Sequence, residues 1–130
     1  MKPIEVLKRV YGYDHFRPGQ EEIINNVLAG KDTLAVLPTG GGKSVCFQVP
    51  ALMMDGICIV VTPLISLMLD QVYQLNSRGI RADALHSGMG SREIDITLDN
   101  CVYGSVHFLY VAPERLKSEL FLQRVSRMNV

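Results

Sequence analysis

The sequence has no excess of charge: thirteen Lys and Arg are offset by thirteen Asp and Glu, and the formal net charge is zero. Binding a polyanion through bulk electrostatics normally needs a basic surplus, so any nucleic-acid partner must be argued from local motifs. Cysteine is also scarce. Cys46, Cys58 and Cys101 are widely spaced and no CxxC occurs, which excludes a disulfide framework and leaves reduced thiols as the reading. His15, His86 and His107 stand apart from one another and from any cysteine at ligand spacing, which argues against a zinc site. No apolar run approaches the roughly 18 residues of a membrane span. The first residues, MKPIEVLKRV, lack the cleavage site of a signal peptide. The expectation is a soluble chain of the cytoplasm (the nucleoid in a bacterium) or the nucleus, neither secreted nor membrane-bound. Repeats, linkers and low-complexity stretches are missing too. With 48% apolar residues in 130, the composition suits one ordinary domain with a real core.

What is present alternates between two periods. Residues 4–11 place Ile4, Leu7 and Val10 on one helical stripe. After a loop over 12–17, Pro18 fits the first turn of a helix with Ile23, Ile24, Val27 and Leu28 on its apolar face and Gly30 as its stop. Residues 33–37 read as a short buried strand, closed by Pro38 and the glycines at 40–42, and a helix should follow over 43–52. The run 57–61 is nearly all β-branched and predicts a strand buried on both faces. Thr62 can cap the next helix with Pro63 at its first position, and Leu64, Met68, Val72 and Leu75 keep helical spacing as far as Asn76. A strand over 80–85, a weaker helix over 91–100 and a strand over 106–111 complete the pattern. Strand and helix in alternation predict an α/β domain, a parallel sheet with helices on both faces.

The strongest chemical signal is Leu37-Pro38-Thr39-Gly40-Gly41-Gly42-Lys43-Ser44, set between a strand and a helix. A phosphate cradle needs glycines because successive backbone N–H groups must turn inward, where side chains would block the approach. The helix start adds its own N–H groups and the positive end of its dipole. Lys43 would bring a mobile charge to the β- and γ-phosphates, and Ser44 would offer its hydroxyl to Mg²⁺. The strict P-loop pattern asks for glycine at position 37, where leucine stands here. The alternative is a glycine-rich loop with an accidental Gly-Lys-Ser.

The segment PTGGGKS resembles the P-loop of the RecQ helicases, where the first glycine is relaxed in the same way. Three further segments share the resemblance, in the family's order and close to its spacing. Tyr11-Gly12-Tyr13-Asp14-His15-Phe16-Arg17-Pro18-Gly19-Gln20 is similar to the opening of the adenine-recognition segment, here 11–30. Val60-Val61-Thr62-Pro63-Leu64-Ile65-Ser66-Leu67-Met68 is similar to motif Ia, and Tyr110-Val111-Ala112-Pro113-Glu114-Arg115-Leu116 to motif Ib. The resemblance implies that residues 1–130 are part of a RecA-like P-loop NTPase domain, the first motor domain of an ATP-dependent DNA helicase unwinding 3′ to 5′ in DNA repair and recombination. ATP and Mg²⁺ are the implied cofactors, and single-stranded DNA and duplex junctions the implied partners. Tyr13 would stack on adenine, and Arg17 and Gln20 would contact the nucleotide together with Thr39, Gly40, Gly41, Gly42, Lys43 and Ser44. Gln20 suits the role because its amide carries both a donor and an acceptor. Lys43 and Ser44 are the catalytic candidates, with Ser44 reaching the metal through the nucleotide. Pro63, Leu64 and Ser66 in motif Ia, and Pro113, Glu114 and Arg115 in motif Ib, would grip the DNA backbone without reading sequence. The apolar residues of motif Ia also match a core helix face, and Glu114 with Arg115 could equally form a local ion pair.

The family's carboxylate strand, Asp-Glu-x-His, follows motif Ib, and no such segment occurs before Val130. The sequence therefore reads as truncated before the Walker B strand, with weak nucleotide binding, negligible hydrolysis and a gap in its sheet. A non-catalytic nucleotide- or DNA-binding remnant, and a related translocase acting without unwinding or on RNA, are the competing functions. A small-metabolite kinase would share the P-loop but not motifs Ia and Ib.

Overall fold

Phe108–Val111 forms the centre of the sheet, because two other short strands pair with its two edges. In the computed structural model, which describes residues 1–38 and 42–130, the chain divides into two units, Met1–Asp55 and Gly56–Val130. The second holds the sheet: β1 (Cys58–Val61), β2 (Ala82–Leu85) and β3 (Phe108–Val111), all parallel, in the order β1-β3-β2. Cys58 and Ala82 both stand opposite Phe108, so the three strands start level. Parallel neighbours need long crossovers. α5 (Ser91–Tyr103) joins the neighbours β2 and β3, and α4 (Ile65–Ser77) carries the chain from β1 to β2 at the opposite edge.

Side chains alternate along a strand, so β3 faces two ways. Leu109 and Val111 point into a cluster with Leu85, Ile94, Leu98, Cys101 and Phe121, the side covered by α5 and by α6 (Glu119–Val125). Tyr110 points the other way, and its hydroxyl donates to Gln71 Oε1 on α4 at 2.6 Å. Helices therefore cover both faces of this sheet. Each fully buried side chain of this size contributes about 1.5–3 kcal/mol relative to exposure. The end of α4 is stitched to β2 by Asn76, whose amide donates to the Ala82 carbonyl and accepts from the Ala82 N–H, each at 3.1 Å. On α6, Ser118 Oγ accepts from the Phe121 N–H at 3.2 Å as an N-cap, and Arg124 joins Asp95 and Asp99, one turn apart on α5.

The first unit is helical. α1 (Pro3–Val6) runs into a wide π turn over Leu7–Tyr11, ended by Gly12 at φ 75°. α2 (Gln20–Leu28) and α3 (Lys43–Leu52) follow. Val6, Leu7, Ile24, Val45 and Val49 form their common core.

Four expectations are corrected. Residues 33–37 are not a buried strand: among the described residues they pair with no other strand, and Leu34 and Val36 are 92% and 85% exposed. An apolar run without a neighbour to accept its ladder hydrogen bonds stays irregular. β1 is not buried on both faces. It lies at the edge of the three-stranded sheet, and Val61 is 48% exposed. Pro18 is not in the first turn of α2, because Gly19 takes a left-handed φ of 87° and the helix opens only at Gln20. Thr62 and Pro63 likewise lie ahead of α4 and are not its N-cap and first residue, although Thr62 Oγ1 does accept from the Leu64 N–H at 3.4 Å. The Thr62 N–H still bonds the Val111 carbonyl at 3.1 Å, so the ladder reaches Thr62 and Leu64 becomes the N-cap.

Candidate functional site

Gly42 is where the loop becomes a helix, and its backbone decides what stands around it. Its φ is 76°, in the left-handed region that only glycine adopts cheaply. A Cβ there would come within 2.3 Å of Gln20 Nε2, because that nitrogen donates to the Gly42 carbonyl at 3.0 Å. The other end of the Gln20 amide accepts from the Arg17 N–H at 2.8 Å. Gln20 is almost wholly buried, so one side chain ties the 12–19 loop to the start of α3.

Around that tie lies a cleft of about 630 Å³ lined by Tyr13, Arg17, Gln20 and Gly42, with Gly12, Asp14, His15 and Val45 completing its wall. Tyr13 is 53% exposed, so it is not packed into the core. Gly42 is the N-cap of α3, and the positive end of the helix dipole lies there. Lys43 is exposed and Ser44 half-buried in its first turn. Lys43 does not line the cleft; it lines a smaller apolar cavity of about 270 Å³ with Leu37, Cys46 and Phe47. Thr39, Gly40 and Gly41 lie outside the described residues.

The second unit carries the other predicted contacts. Pro63, Leu64 and Ser66 are exposed ahead of and within the first turn of α4, whereas Met68 is fully buried. The packing alternative for motif Ia thus holds for Met68 and fails for Leu64 and Leu67, which are 59% and 43% exposed. Pro113 opens a 3₁₀ turn, Pro113–Lys117. Pro113 and Glu114 are exposed and Arg115 is half-buried. Among the described residues the ion pairs are those of Arg124, and none joins Glu114 to Arg115. Arg115 instead donates through Nη2 to the His86 carbonyl at 3.1 Å, and its buried Nε has no hydrogen-bond partner. His86 was missed as a neighbour of motif Ib, since the turn after β2 carries no motif.

Burial raises the pKa of all three thiols. At Cys46 a hydrogen bond from its own backbone partly offsets it. Cys58 is raised by burial alone. Cys101 is pushed up to about 12, by burial first and then by the Asp83 charge, with Arg81 opposing. Burial also raises Asp83, again against Arg81. No three His, Cys, Asp or Glu gather as metal ligands among the described residues, and no described helix is long and apolar enough to cross a membrane.

Comparison with known proteins gives the family. Residues 17–130 match the DEAD/DEAH box helicase family. The ATP-dependent DNA helicase RecQ of Haemophilus influenzae is 46% identical over 127 residues, covering 98% of this chain and 20% of that protein. RecQ of Synechocystis is 48% identical over 115 residues, covering 88% and 24%. The probable ATP-dependent DNA helicase RecS of Bacillus subtilis is 43% identical over 130 residues, covering 97% and 25%. The chain spans a fifth to a quarter of these relatives' length. With the match extending from the Arg17 loop to the last residue, the chain belongs to the DEAD/DEAH box helicase family.

Proposed function

We propose that this chain is the ATP-binding part of a RecQ-type DNA helicase, a motor that unwinds DNA 3′ to 5′. One observation carries the reading: Tyr13, Arg17, Gln20 and Gly42 line a single cleft immediately before Lys43. A nucleotide suits what is there, because the left-handed φ of Gly42 favours glycine and the positive dipole end of α3 favours an anion. Residues 11–30 serve the base and 37–44 the phosphates. Tyr13 offers a stacking face, Arg17 a charge, Lys43 a mobile ammonium and Ser44 a hydroxyl for Mg²⁺. Thr39, Gly40 and Gly41 belong to the same cradle. Gln20 spends both ends of its amide on Arg17 and Gly42, so its share is to hold loop and cradle together. The chemistry supplied by bound ATP is cleavage of a phosphoanhydride.

DNA, single-stranded and at duplex junctions, is the proposed partner. Residues 60–68 and 110–116 would touch its backbone through Pro63, Leu64, Ser66, Pro113, Glu114 and Arg115. The exposure of Leu64 and Ser66 supports this. So does Arg115, whose guanidinium is anchored at Nη2. Titration of a fluorescent ADP analogue against the chain and its Lys43→Ala variant is the test. Removing a charged hydrogen-bond donor should weaken binding by about tenfold or more. Equal affinity in the two proteins would sink the reading.

A further inference from the structure

Among the described residues only two polar side chains are buried, Gln20 and Gln48, at 3% and 4% exposure. Both belong to the first unit, and both connect the 11–20 segment to α3 or its approach. Gln20 makes its tie through Gly42. Gln48 sits further along α3, beside Val45 and Val49 of the apolar core, and its Oε1 accepts from the Tyr11 hydroxyl at 2.5 Å. Tyr11 is the last residue of the π turn, directly before Gly12 and Tyr13.

An amide within an apolar cluster is costly unless hydrogen-bonded, and a leucine at 48 with a phenylalanine at 11 would fill the space without that risk. What the polar pair adds is direction. Apolar side chains tolerate sliding, while a short hydrogen bond fixes both distance and angle. With Gln20 at one end and Tyr11 at the other, the loop over 12–19 is strung between two anchors on one helix. Tyr13 and Arg17 lie between those anchors, and Lys43 lies on the helix that holds them.

We infer that Tyr11 and Gln48 are a positioning pair that sets where the base-binding loop stands relative to the phosphate cradle. They govern affinity for the adenine base and leave the cradle's grip on phosphates alone. This rests on the nucleotide reading above and assigns the pair no contact with the ligand.

The test compares the full chain with its Tyr11→Phe variant, which removes only the hydroxyl. Two probes are used: a fluorescent ADP analogue, and inorganic tripolyphosphate as competitor. Tyr11→Phe should weaken the ADP analogue by about fivefold, the worth of one net hydrogen bond, with tripolyphosphate competition unchanged. Lys43→Ala should weaken both. Unchanged ADP affinity in Tyr11→Phe, or an equal loss for both probes, overturns the pair's role while leaving the nucleotide site standing. If the wild-type chain binds neither probe, the nucleotide reading fails and the pair's role fails with it. Should Tyr11→Phe lose its cooperative melt, Gln48→Met takes its place and the same outcomes decide.

Discussion

Residues 34–37, Leu-Ala-Val-Leu, and residues 108–111, Phe-Leu-Tyr-Val, are near-equivalent strings of apolar residues with opposite fates. The second is the central strand, with no residue more than 1% exposed. The first forms no strand, and its Leu34 and Val36 are almost fully exposed. Nothing within either string explains the difference. Phe108–Val111 has a parallel neighbour on each side and α4, α5 and α6 over its faces. Residues 34–37 have no ladder partner among the described residues. An apolar run is permission to be a strand, and the neighbours grant it. The two units differ in the same sense. Residues 56–130 bury apolar side chains around a sheet, while residues 1–55 add to their own apolar core two buried amides that hold a loop.

The largest effect expected follows from that contrast. Leu109→Ala should cost about 3 kcal/mol, as truncation of a fully buried leucine does, whereas Leu34→Ala should cost less than about 0.5 kcal/mol. Urea midpoints measure both, and equal shifts would mean that 33–37 is packed in solution. Glycine substitutions sharpen the comparison next. Gly79→Ala, at φ 79° with open space around it, should cost only the left-handed penalty of about 1 kcal/mol. Gly42→Ala carries that penalty and also expels Gln20 from its bond, for about 2 kcal/mol in all. It should weaken the ADP analogue as well. If the two alanines behave alike in melts and in binding, the Gln20 tie contributes nothing.

The smallest effect concerns Asp83 in the second unit. Burial raises its carboxyl above the ordinary 3.8, so folding favours the protonated form. Its contribution to stability is full below the ordinary value and is lost as pH rises through the folded value. Asp83→Asn should therefore raise the melting temperature slightly at pH 7, and the gain should vanish as the pH falls below about 3.8. A gain that persists in acid would remove burial of the charge as the cause.

Local signals were read well where they were self-contained. The helix over Lys43–Leu52 has the bounds that the glycines and the apolar spacing indicate. The strands over 80–85 and 106–111 are present in shortened form, as Ala82–Leu85 and Phe108–Val111. The loop over 12–17 was legible, although it runs on through Gly19, and Gly30 does end α2 at φ 78°. The α6 helix was missed although its signals are ordinary: Ser118 as cap, then Leu120, Phe121 and Val125. Nor did any pattern mark Gln48. A glutamine in a helix looks solvated until a tyrosine thirty-seven positions away turns out to be its partner.

The sequence by itself determined which residue types stand around Gly42-Lys43-Ser44, the alternation of strand and helix from 57 to 111, and the family. Those depend on residue types at short fixed spacings, which the chain states directly. Only the tertiary structure decided that Phe108–Val111 is central and Cys58–Val61 an edge, that Leu64 is exposed while Met68 is buried, and that Gln20 and Tyr11 anchor one loop at both ends. The reason is physical. Burial, ladder pairing and hydrogen-bond partnership belong to pairs of residues distant in sequence, and no single stretch of chain contains both members.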